Sequence, residues 1–291
     1  MDFNPSVCVD LHIHSTASDG TLTPSEILEL AGDLKLGAIS ITDHDTLDGS
    51  RQAIANGIPD TLGFLTGVEI SARRPSFFPG KGSCHILGYR IDLENRALNQ
   101  TLQKLQTARK DRNPEILERL ATLGIHLSMD EVSAVAGPKG QIGRPHIAQV
   151  MLDRKYVPTF SAAFDNYLAT GKPAYVDKYR VDCSRAIELI RNAGGISVLA
   201  HPVLLGTPGG RLDDTTIRRL KEMGLMGIEA FYTEHSASLR EHYLNLAGRH
   251  GLLITGGTDF HGKFKPRIQL GFGKGDLCVP MKLFHTLSNH A

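Results

Sequence analysis

Histidines and acidic residues recur at the ends of short apolar segments in this 291-residue chain. The first such segment runs into Asp10-Leu11-His12-Ile13-His14. Alternate residues of an extended strand point to the same face, so both imidazoles can approach one ion. Similar endings follow later segments, in Thr42-Asp43-His44, Gly67-Val68-Glu69, Ala200-His201-Pro202 and Gly257-Thr258-Asp259-Phe260-His261. A lone His-x-His is weak evidence, but its repetition at successive strand ends predicts a metal site.

Six histidines and three carboxylates form the predicted ligand set: His12, His14, Asp19, His44, Glu69, His85, His201, Asp259 and His261. Any one of them alone would be read as a satisfied polar residue. Gathered at one edge without ions, they would have a large desolvation cost. Nine ligands exceed the needs of a single ion, so we expect two or three divalent ions. Mixed imidazole and carboxylate ligands suit Mn²⁺, Fe²⁺, Zn²⁺ or Mg²⁺, and the ligand types alone do not choose among them. Mn²⁺ is our first expectation.

The elements that must position these residues alternate along the chain. Short apolar segments predict buried strands at 7–11, 38–42, 64–68, 85–89, 196–200, 226–230 and 252–255. Helical patterns lie between them, at 184–192, 213–223 and 236–250, and another begins at the capping sequence Thr23-Pro24-Ser25-Glu26. This alternation predicts an α/β protein with a mostly parallel sheet, open or closed into a barrel. Active sites of such folds form at the carboxyl ends of the strands.

Residues 95–175 contain only helical patterns, at 98–123, 129–136, 145–155 and 159–169. We therefore expect a helical insertion subdomain that covers the active site of a discontinuous barrel, formed by residues 1–94 and 176–291. Arg109 and Arg112 would share one helix face. Arg144 and His146 open a later helix, where backbone amides already favour an anion. These arginines form a candidate phosphate site, although ordinary solvated helix residues would have the same spacing.

Composition limits the partners. The formal net charge is +1, so no long nucleic-acid groove and no attraction to an anionic membrane are expected. Phosphate recognition must then be local. Residues 1–6 do not resemble a signal peptide, and no apolar run approaches the roughly 18 residues of a membrane span. The widely spaced Cys8, Cys84, Cys183 and Cys278 indicate neither a thiolate zinc site nor a disulfide scaffold, so we expect a reduced, cytoplasmic protein. The oligomeric state stays open.

The ordered motifs resemble the polymerase and histidinol phosphatase (PHP) superfamily: Asp-Leu-His-x-His at 10–14, Ser-Asp-Gly at 18–20, Thr-Asp-His-Asp at 42–45, Gly-Val-Glu at 67–69, His85, Ala-His-Pro at 200–202 and Gly-x-Asp-x-His at 257–261. The resemblance implies a distorted (β/α)₇ barrel with two or three metal ions at the strand ends. It assigns His12, His14, Glu69 and Asp259 to one ion. Glu69 would bridge to a second ion, held also by His85 and His201, and Asp19, His44 and His261 would hold a third.

Within that superfamily, the insertion and its arginines resemble the 3′,5′-nucleotide bisphosphate phosphatases, related members of which trim short RNA from the 5′ end. The resemblance implies hydrolysis of a 3′-phosphate. Clustered ions would supply a metal-bound hydroxide near neutral pH, so no protein nucleophile is needed. Arg109, Arg112, Arg144 and His146 would bind substrate phosphate. His235 could also reach the substrate or be a surface histidine. Asp43 could orient a ligand or accept a proton, or be a solvated strand-end acid.

Three other functions are compatible with the motifs. One is a histidinol-phosphatase-type phosphomonoesterase, and another is a nuclease acting on longer nucleic acid, which the near-zero net charge disfavours. The third is a non-catalytic metal-binding accessory module, which the complete ligand set disfavours. The loop at 73–83 is longer than the family pattern. Its Phe77 and Phe78 are predicted to pack the loop down, with stacking on a base as the alternative.

Overall fold

The protein is described here by a computed structural model, in which residues 7–137 and 140–290 are placed. Its strands are β1 (Cys8–Ile13), β2 (Ala38–Ile41), β3 (Gly63–Arg73), β4 (Cys84–Tyr89), β5 (Val181–Asp182), β6 (Ile196–Leu199), β7 (Gly227–Tyr232), β8 (Leu253–Gly257) and β9 (Val279–Pro280). Its α-helices are α1 (Pro24–Asp33), α2 (Asp48–Asn56), α3 (Arg96–Thr122), α4 (Met129–Ala136), α5 (Arg144–Asp153), α6 (Phe160–Ala163), α7 (Cys183–Asn192), α8 (Asp214–Glu222), α9 (Ala237–His250) and α10 (Met281–Ser288).

The sheet has the strand order β8-β7-β6-β4-β3-β2-β1-β9, with β5 beside β3. Its two ends meet where β1 approaches the segment after β8. There the His14 amide donates to the Phe260 carbonyl, and the Asp259 amide donates to the His12 carbonyl, each at 2.9 Å. The sheet is therefore a nearly closed barrel, which confirms the predicted distorted α/β barrel.

One strand departs from the parallel arrangement. The strands β1 to β3 are parallel, as are β6 to β8, but β4 is antiparallel to both of its neighbours. The first residues of β4 consequently lie at the same edge as the carboxyl ends of the parallel strands. This reversal places His85, which begins its strand, beside residues that end theirs.

All seven predicted strands are present, as are the helices predicted from capping and periodicity. The helix α1 has the predicted capping box, with Thr23 and Glu26 bonded reciprocally. The sequence did not predict α2, α10, β5 and β9. The helix α2 starts without a side-chain cap, and β5 and β9 have only two residues each, which is too short for a periodic signal.

Two separate apolar clusters lie along α3. Leu98, Leu102 and Leu105, from its first half, pack in the barrel core. Ile116 and Leu120, from its second half, pack with α4 and α5 in another cluster. The helices α3 to α6, followed by a π-helical turn at Phe164–Leu168, make up the region between β4 and β5. The division into 1–94 with 176–291 and 95–175 stays a prediction.

Cysteine pairing differs from the prediction. Cys8 in β1 and Cys278 beside β9 form a disulfide, so the expectation of a fully reduced chain is wrong for this pair. The two residues are 270 positions apart in sequence, and only the antiparallel pairing of β1 with β9 brings them together. Cys84 and Cys183 are free and buried. Among the described helices, none combines the length and apolarity that crossing a membrane requires.

Candidate metal centre

The end of β1 points two buried imidazoles at two carboxylates. His14 Nε2 lies 3.2 Å from Glu69 Oε2 and 3.3 Å from Asp259 Oδ1. His12 Nε2 lies 3.5 Å and 3.8 Å from the same two oxygens. The alternation along β1 thus places both rings on one face, as predicted.

The second oxygen of Glu69 faces a different pair of histidines. Oε1 lies 2.7 Å from His85 Nδ1 and 2.7 Å from His201 Nε2. Those two nitrogens are 3.3 Å apart. Glu69 therefore has one carboxylate oxygen in each of two ligand groups, the arrangement that a bridging carboxylate requires.

A third group surrounds Asp19. Its Oδ1 lies 3.5 Å from His261 Nε2 and 3.7 Å from His14 Nδ1. Ligand atoms of His44 and of these three residues all lie within 4.8 Å of one another. His44 Nδ1 is also 2.9 Å from Glu69 Oε2, so the groups are contiguous. All nine predicted ligand residues, hereafter the metal-ligand cluster, therefore lie together.

The chemistry of the metal-ligand cluster fits divalent ions. Six buried side-chain atoms in it form no hydrogen bond, although some of them lie close together: His12 Nε2, His14 Nε2, Asp19 Oδ1, His44 Nδ1, Glu69 Oε2 and His201 Nδ1. An unsatisfied buried polar atom costs about 1–3 kcal/mol, and a bound ion would satisfy several of these atoms at once. Imidazole nitrogens and carboxylate oxygens are ordinary ligands of divalent transition metals.

Three of the six described non-glycine residues with positive φ angles lie at or beside this centre. Asp45, His201 and Asp259 have positive φ angles of 56°, 25° and 56°. Non-glycine residues rarely adopt such angles, and they persist where the surrounding structure fixes them. Each of the three lies within four residues after the end of a strand, β2, β6 or β8.

Glu229 is a residue that the sequence analysis missed. Its carboxylate is fully buried; Oε1 lies 2.9 Å from His12 Nδ1, and Oε2 accepts a hydrogen bond from the His201 amide at 2.6 Å. A carboxylate behind a ligand histidine fixes the orientation and tautomer of the ring. The available signal was an acid inside the buried strand predicted at 226–230.

Asp43 supports a turn of the backbone. Its carboxylate accepts hydrogen bonds from the Ser15 amide at 2.7 Å, the Ser15 hydroxyl at 2.6 Å and the Ser18 hydroxyl at 2.5 Å. Gly20 closes this turn, because a Cβ atom there would lie 2.1 Å from the His14 carbonyl oxygen. The turn carries Asp19 back over the end of β1, so Asp43 contributes to positioning that carboxylate.

A cavity of about 120 Å³ opens beside the metal-ligand cluster. Asp19, His44 and His85 line one side. Five cations line the other and are called the cationic wall: Arg109, Arg112, Arg144, Lys178 and Arg180. Lys178 and Arg180 were not predicted, because they follow the insertion in a segment without periodic pattern.

Asp45 neutralises part of the cationic wall. Its Oδ2 lies 2.9 Å from Arg109 Nη2 and 2.9 Å from Lys178 Nζ. Burial lowers the pKa of Lys178 to about 7; repulsion from Arg109 adds to this effect, and attraction to Asp45 opposes it. These two cations are therefore fixed in place before any ligand arrives.

Arg112 and Arg144 have no such carboxylate. Within the described residues, neither forms an ion pair. Arg112 is only 6% exposed, and burial, followed by repulsion from Arg144 and Arg109, lowers its pKa to about 9. Arg144 donates to the Leu168 carbonyl at 2.9 Å and lies over the ring of Tyr175. A buried cation without a carboxylate partner, such as Arg112, favours an anionic ligand.

The two remaining candidates are held by other contacts. His146 Nδ1 accepts a hydrogen bond from the Gly143 amide at 2.9 Å, at the start of α5, and its ring packs against Phe264. His235 Nδ1 lies 2.9 Å from the Ala230 carbonyl oxygen, and its ring stacks on Tyr243. Neither residue lines the 120 Å³ cavity, and their role in substrate binding stays a prediction.

The barrel and its metal-ligand cluster define a metal-dependent phosphoester hydrolase, and comparisons with known proteins agree. A 3′,5′-nucleoside bisphosphate phosphatase from Chromobacterium violaceum is 33% identical over 259 residues, covering 87% of each chain. A 5′-3′ exoribonuclease from Haemophilus influenzae is 32% identical, covering 87% of this chain and 89% of that one. The structure of a candidate metal-dependent phosphoesterase from Bifidobacterium adolescentis matches with a TM-score of 0.86 at 30% identity, covering 97% of this chain and 96% of that one.

Residues 10–168 match the family model of the PHP domain. The chain belongs to the PHP domain family, as the ordered motifs predicted. The accessory-module alternative is set aside, because the protein is a hydrolase of phosphoric esters.

Proposed function

We propose that this hydrolase removes the 3′-phosphate of nucleoside 3′,5′-bisphosphates and also acts on short 5′-phosphorylated RNA. The observation that carries the proposal is the 120 Å³ cavity, which places unpaired arginines opposite the metal-ligand cluster. A substrate with a single phosphate needs only the metal side. A substrate with two phosphates would use both sides.

The proposed centre holds two or three ions, with Mn²⁺ as the first expectation. His12, His14, Glu69 and Asp259 would hold one ion; Glu69, His85 and His201 would hold a second; Asp19, His44 and His261 would hold a third. Bound ions would activate water near neutral pH and neutralise charge that develops on the phosphoryl oxygens. Glu229 keeps His12 in the orientation that this requires.

The cationic wall would bind the phosphate that is not cleaved. Arg112 and Arg144 are its cations without carboxylate partners, the first buried and the second half-buried, so a 5′-phosphate would form charge-assisted hydrogen bonds with them. Arg109 and Lys178 would add positive charge from positions that Asp45 has already fixed. The phosphate would thereby orient the 3′-phosphate toward the metal-ligand cluster.

The two substrate classes need the same bond cleavage. In a nucleoside 3′,5′-bisphosphate, water attacks the 3′-phosphorus and the 3′-oxygen leaves. In 5′-phosphorylated RNA, the first internucleotide phosphorus is attacked and the same 3′-oxygen leaves, so a nucleoside 5′-phosphate is released in both cases. A formal net charge of +1 favours short strands over long ones, because tracking a long backbone requires many cations.

A comparison of substrates tests the proposal. The Mn²⁺-loaded protein is incubated with adenosine 3′,5′-bisphosphate, histidinol phosphate and a 5′-phosphorylated trinucleotide, and kcat/KM is measured for each. We expect the bisphosphate to be preferred over histidinol phosphate. A preference for histidinol phosphate would support the histidinol-phosphatase-type alternative. If none of the three reacts and His201→Ala behaves like the wild type, the assigned centre is not catalytic.

A further inference from the structure

A second cavity, of about 220 Å³, adjoins the cavity beside the metal-ligand cluster. The two share Ser83 and Arg180 in their walls. The second cavity lies between the β3–β4 loop and the segment that follows the insertion, and we call it the loop cavity. Its basic residues, apart from Arg180, all come from the β3–β4 loop or its start: Arg73, Arg74 and Lys81.

Apolar contacts fix the β3–β4 loop in position. Phe78 is buried in the barrel core, and Phe77 stacks on it with 5.6 Å between ring centroids. The Gly82 amide donates to the Leu205 carbonyl at 2.8 Å, and a Cβ atom at Gly82 would lie 1.9 Å from the Leu204 carbonyl oxygen. Packing is thus the role of the two phenylalanines, as predicted, and basic side chains of the same loop line the cavity.

The cations of the loop cavity are unequally paired. Arg73 lies 3.3 Å from Asp182, and Arg180 pairs with Asp177. Arg74 and Lys81 form no ion pair with any residue that the structure describes. Two cations therefore remain available to an anion in the loop cavity, beside the active-site cavity.

Cavity volume limits what each space can hold. Sites for small organic ligands measure about 300–1,000 Å³, and the 120 Å³ cavity is well below that range. It is large enough for phosphate groups beside the metal-ligand cluster but not for an extended nucleotide strand. The loop cavity adds about 220 Å³ beside it, and the two spaces share Ser83 and Arg180 in their walls.

We propose that the loop cavity is a subsite for the downstream phosphodiester of a short oligonucleotide whose first internucleotide phosphate lies at the metal-ligand cluster. Arg74 and Lys81 would bind that phosphodiester. The inference rests on the proposed function and deepens it, because it assigns a site to the part of an RNA substrate that a bisphosphate lacks.

The charged residues that line each cavity indicate which phosphate group it would bind. A terminal phosphate carries about −1.5 to −2 charges at neutral pH, which suits Arg112 and Arg144, since neither of them has a carboxylate partner among the described residues. A phosphodiester carries a single charge. The loop cavity suits it better, because Asp177 also lines the space and Lys81 is exposed to solvent.

The double variant Arg74→Ala/Lys81→Ala tests the assignment. On the Mn²⁺-loaded protein, kcat/KM is measured for a 5′-phosphorylated trinucleotide and for adenosine 3′,5′-bisphosphate. We expect the ratio of the first to the second to fall about tenfold or more, the usual result of losing hydrogen bonds to a charged group.

The dependence on salt gives a second measurement. The wild-type ratio should decline with added KCl, and the variant ratio should decline less, because salt weakens phosphate contacts. Lys282→Ala, an exposed lysine on α10, is the matched control and should keep the wild-type ratio.

Other outcomes would overturn the assignment. An equal loss on both substrates would place the 5′-phosphate in the loop cavity, and an unchanged ratio would leave the cavity without a role. If Lys104→Ala lowers the ratio while the double variant does not, the strand follows the α3 surface that Lys104 and Tyr179 line. Failure of the proposed function is a separate result, since it would appear as absent activity of the wild type on the bisphosphate itself.

Discussion

The two sides of the active-site cavity differ in how their charges are held. On the barrel side, imidazoles and carboxylates lie within 2.7–3.8 Å of one another. On the opposite side, Arg112 is buried against other cations, and burial and repulsion lower its pKa to about 9. The buried imidazoles and carboxylates of the barrel side suit metal cations, whereas the cationic wall has fewer carboxylates than cations and suits an anion. Under the proposed function, a phosphate ester with a second phosphate would contact both sides at once.

Substituting a residue of the metal-ligand cluster should have the largest effect on activity. Glu69→Gln is expected to lower kcat/KM for the bisphosphate by about 1,000-fold or more, because a carboxylate that serves two ligand groups contributes several kcal/mol through the bound ions. Metal content, measured by mass spectrometry after dialysis, should fall in parallel. Glu29→Gln, on the exposed face of α1, should retain activity and metal. Activity within tenfold of the wild type would exclude a bridging role for Glu69.

Removing Glu229, which lies behind the ligand His12, should have a smaller effect than removing a metal ligand. Glu229→Gln is expected to weaken Mn²⁺ binding by about 10–100-fold, the usual effect of removing a carboxylate behind a ligand histidine. Calorimetric titration of Mn²⁺ into metal-free protein measures this. The control is Glu241→Gln, at an exposed position on α9. Unchanged affinity in Glu229→Gln would show that the orientation of His12 does not depend on this carboxylate.

Removing a cation from the cationic wall should lower activity but raise thermal stability. Arg112→Met is expected to lower kcat/KM for the bisphosphate by about 10–100-fold, since a hydrogen bond to a charged group is lost. It should also raise the Tm by about 1–4 °C, because a buried, unpaired charge is removed. Lys110→Met, at an exposed position on the same helix, should change neither value. A lower Tm in Arg112→Met would mean that the guanidinium stabilises the fold.

The smallest expected effect is a change in pH dependence. Burial lowers the pKa of Lys178 to about 7, so this lysine loses its charge as pH rises through neutrality. Loss of a cation weakens phosphate binding, and kcat/KM should fall on the alkaline side by about tenfold at most. Lys178→Arg keeps the charge and should flatten that decline. Identical profiles for the wild type and the variant would assign the alkaline limb to another group.

Much of the barrel side could be predicted from the sequence. Strand ends are encoded locally, by a short apolar segment followed by polar residues, so His12, His14, His44 and Glu69 were identified from their immediate neighbours. The ordered motifs then indicated the family, which the comparisons confirm. The cationic wall was predicted only in part, through the spacing of Arg109 and Arg112 and the position of Arg144.

Tertiary structure alone decided the rest, because the remaining contacts join residues far apart in the chain. Glu229 reaches His12 across 217 positions, and Lys178 reaches Asp45 across 133. Neither pair shares a periodic pattern. The antiparallel direction of β4 likewise determines where His85 lies, and the pairing of β1 with β9 determines the disulfide. Local periodicity specifies which face of an element is buried, whereas the order and direction of the strands specify which elements face each other.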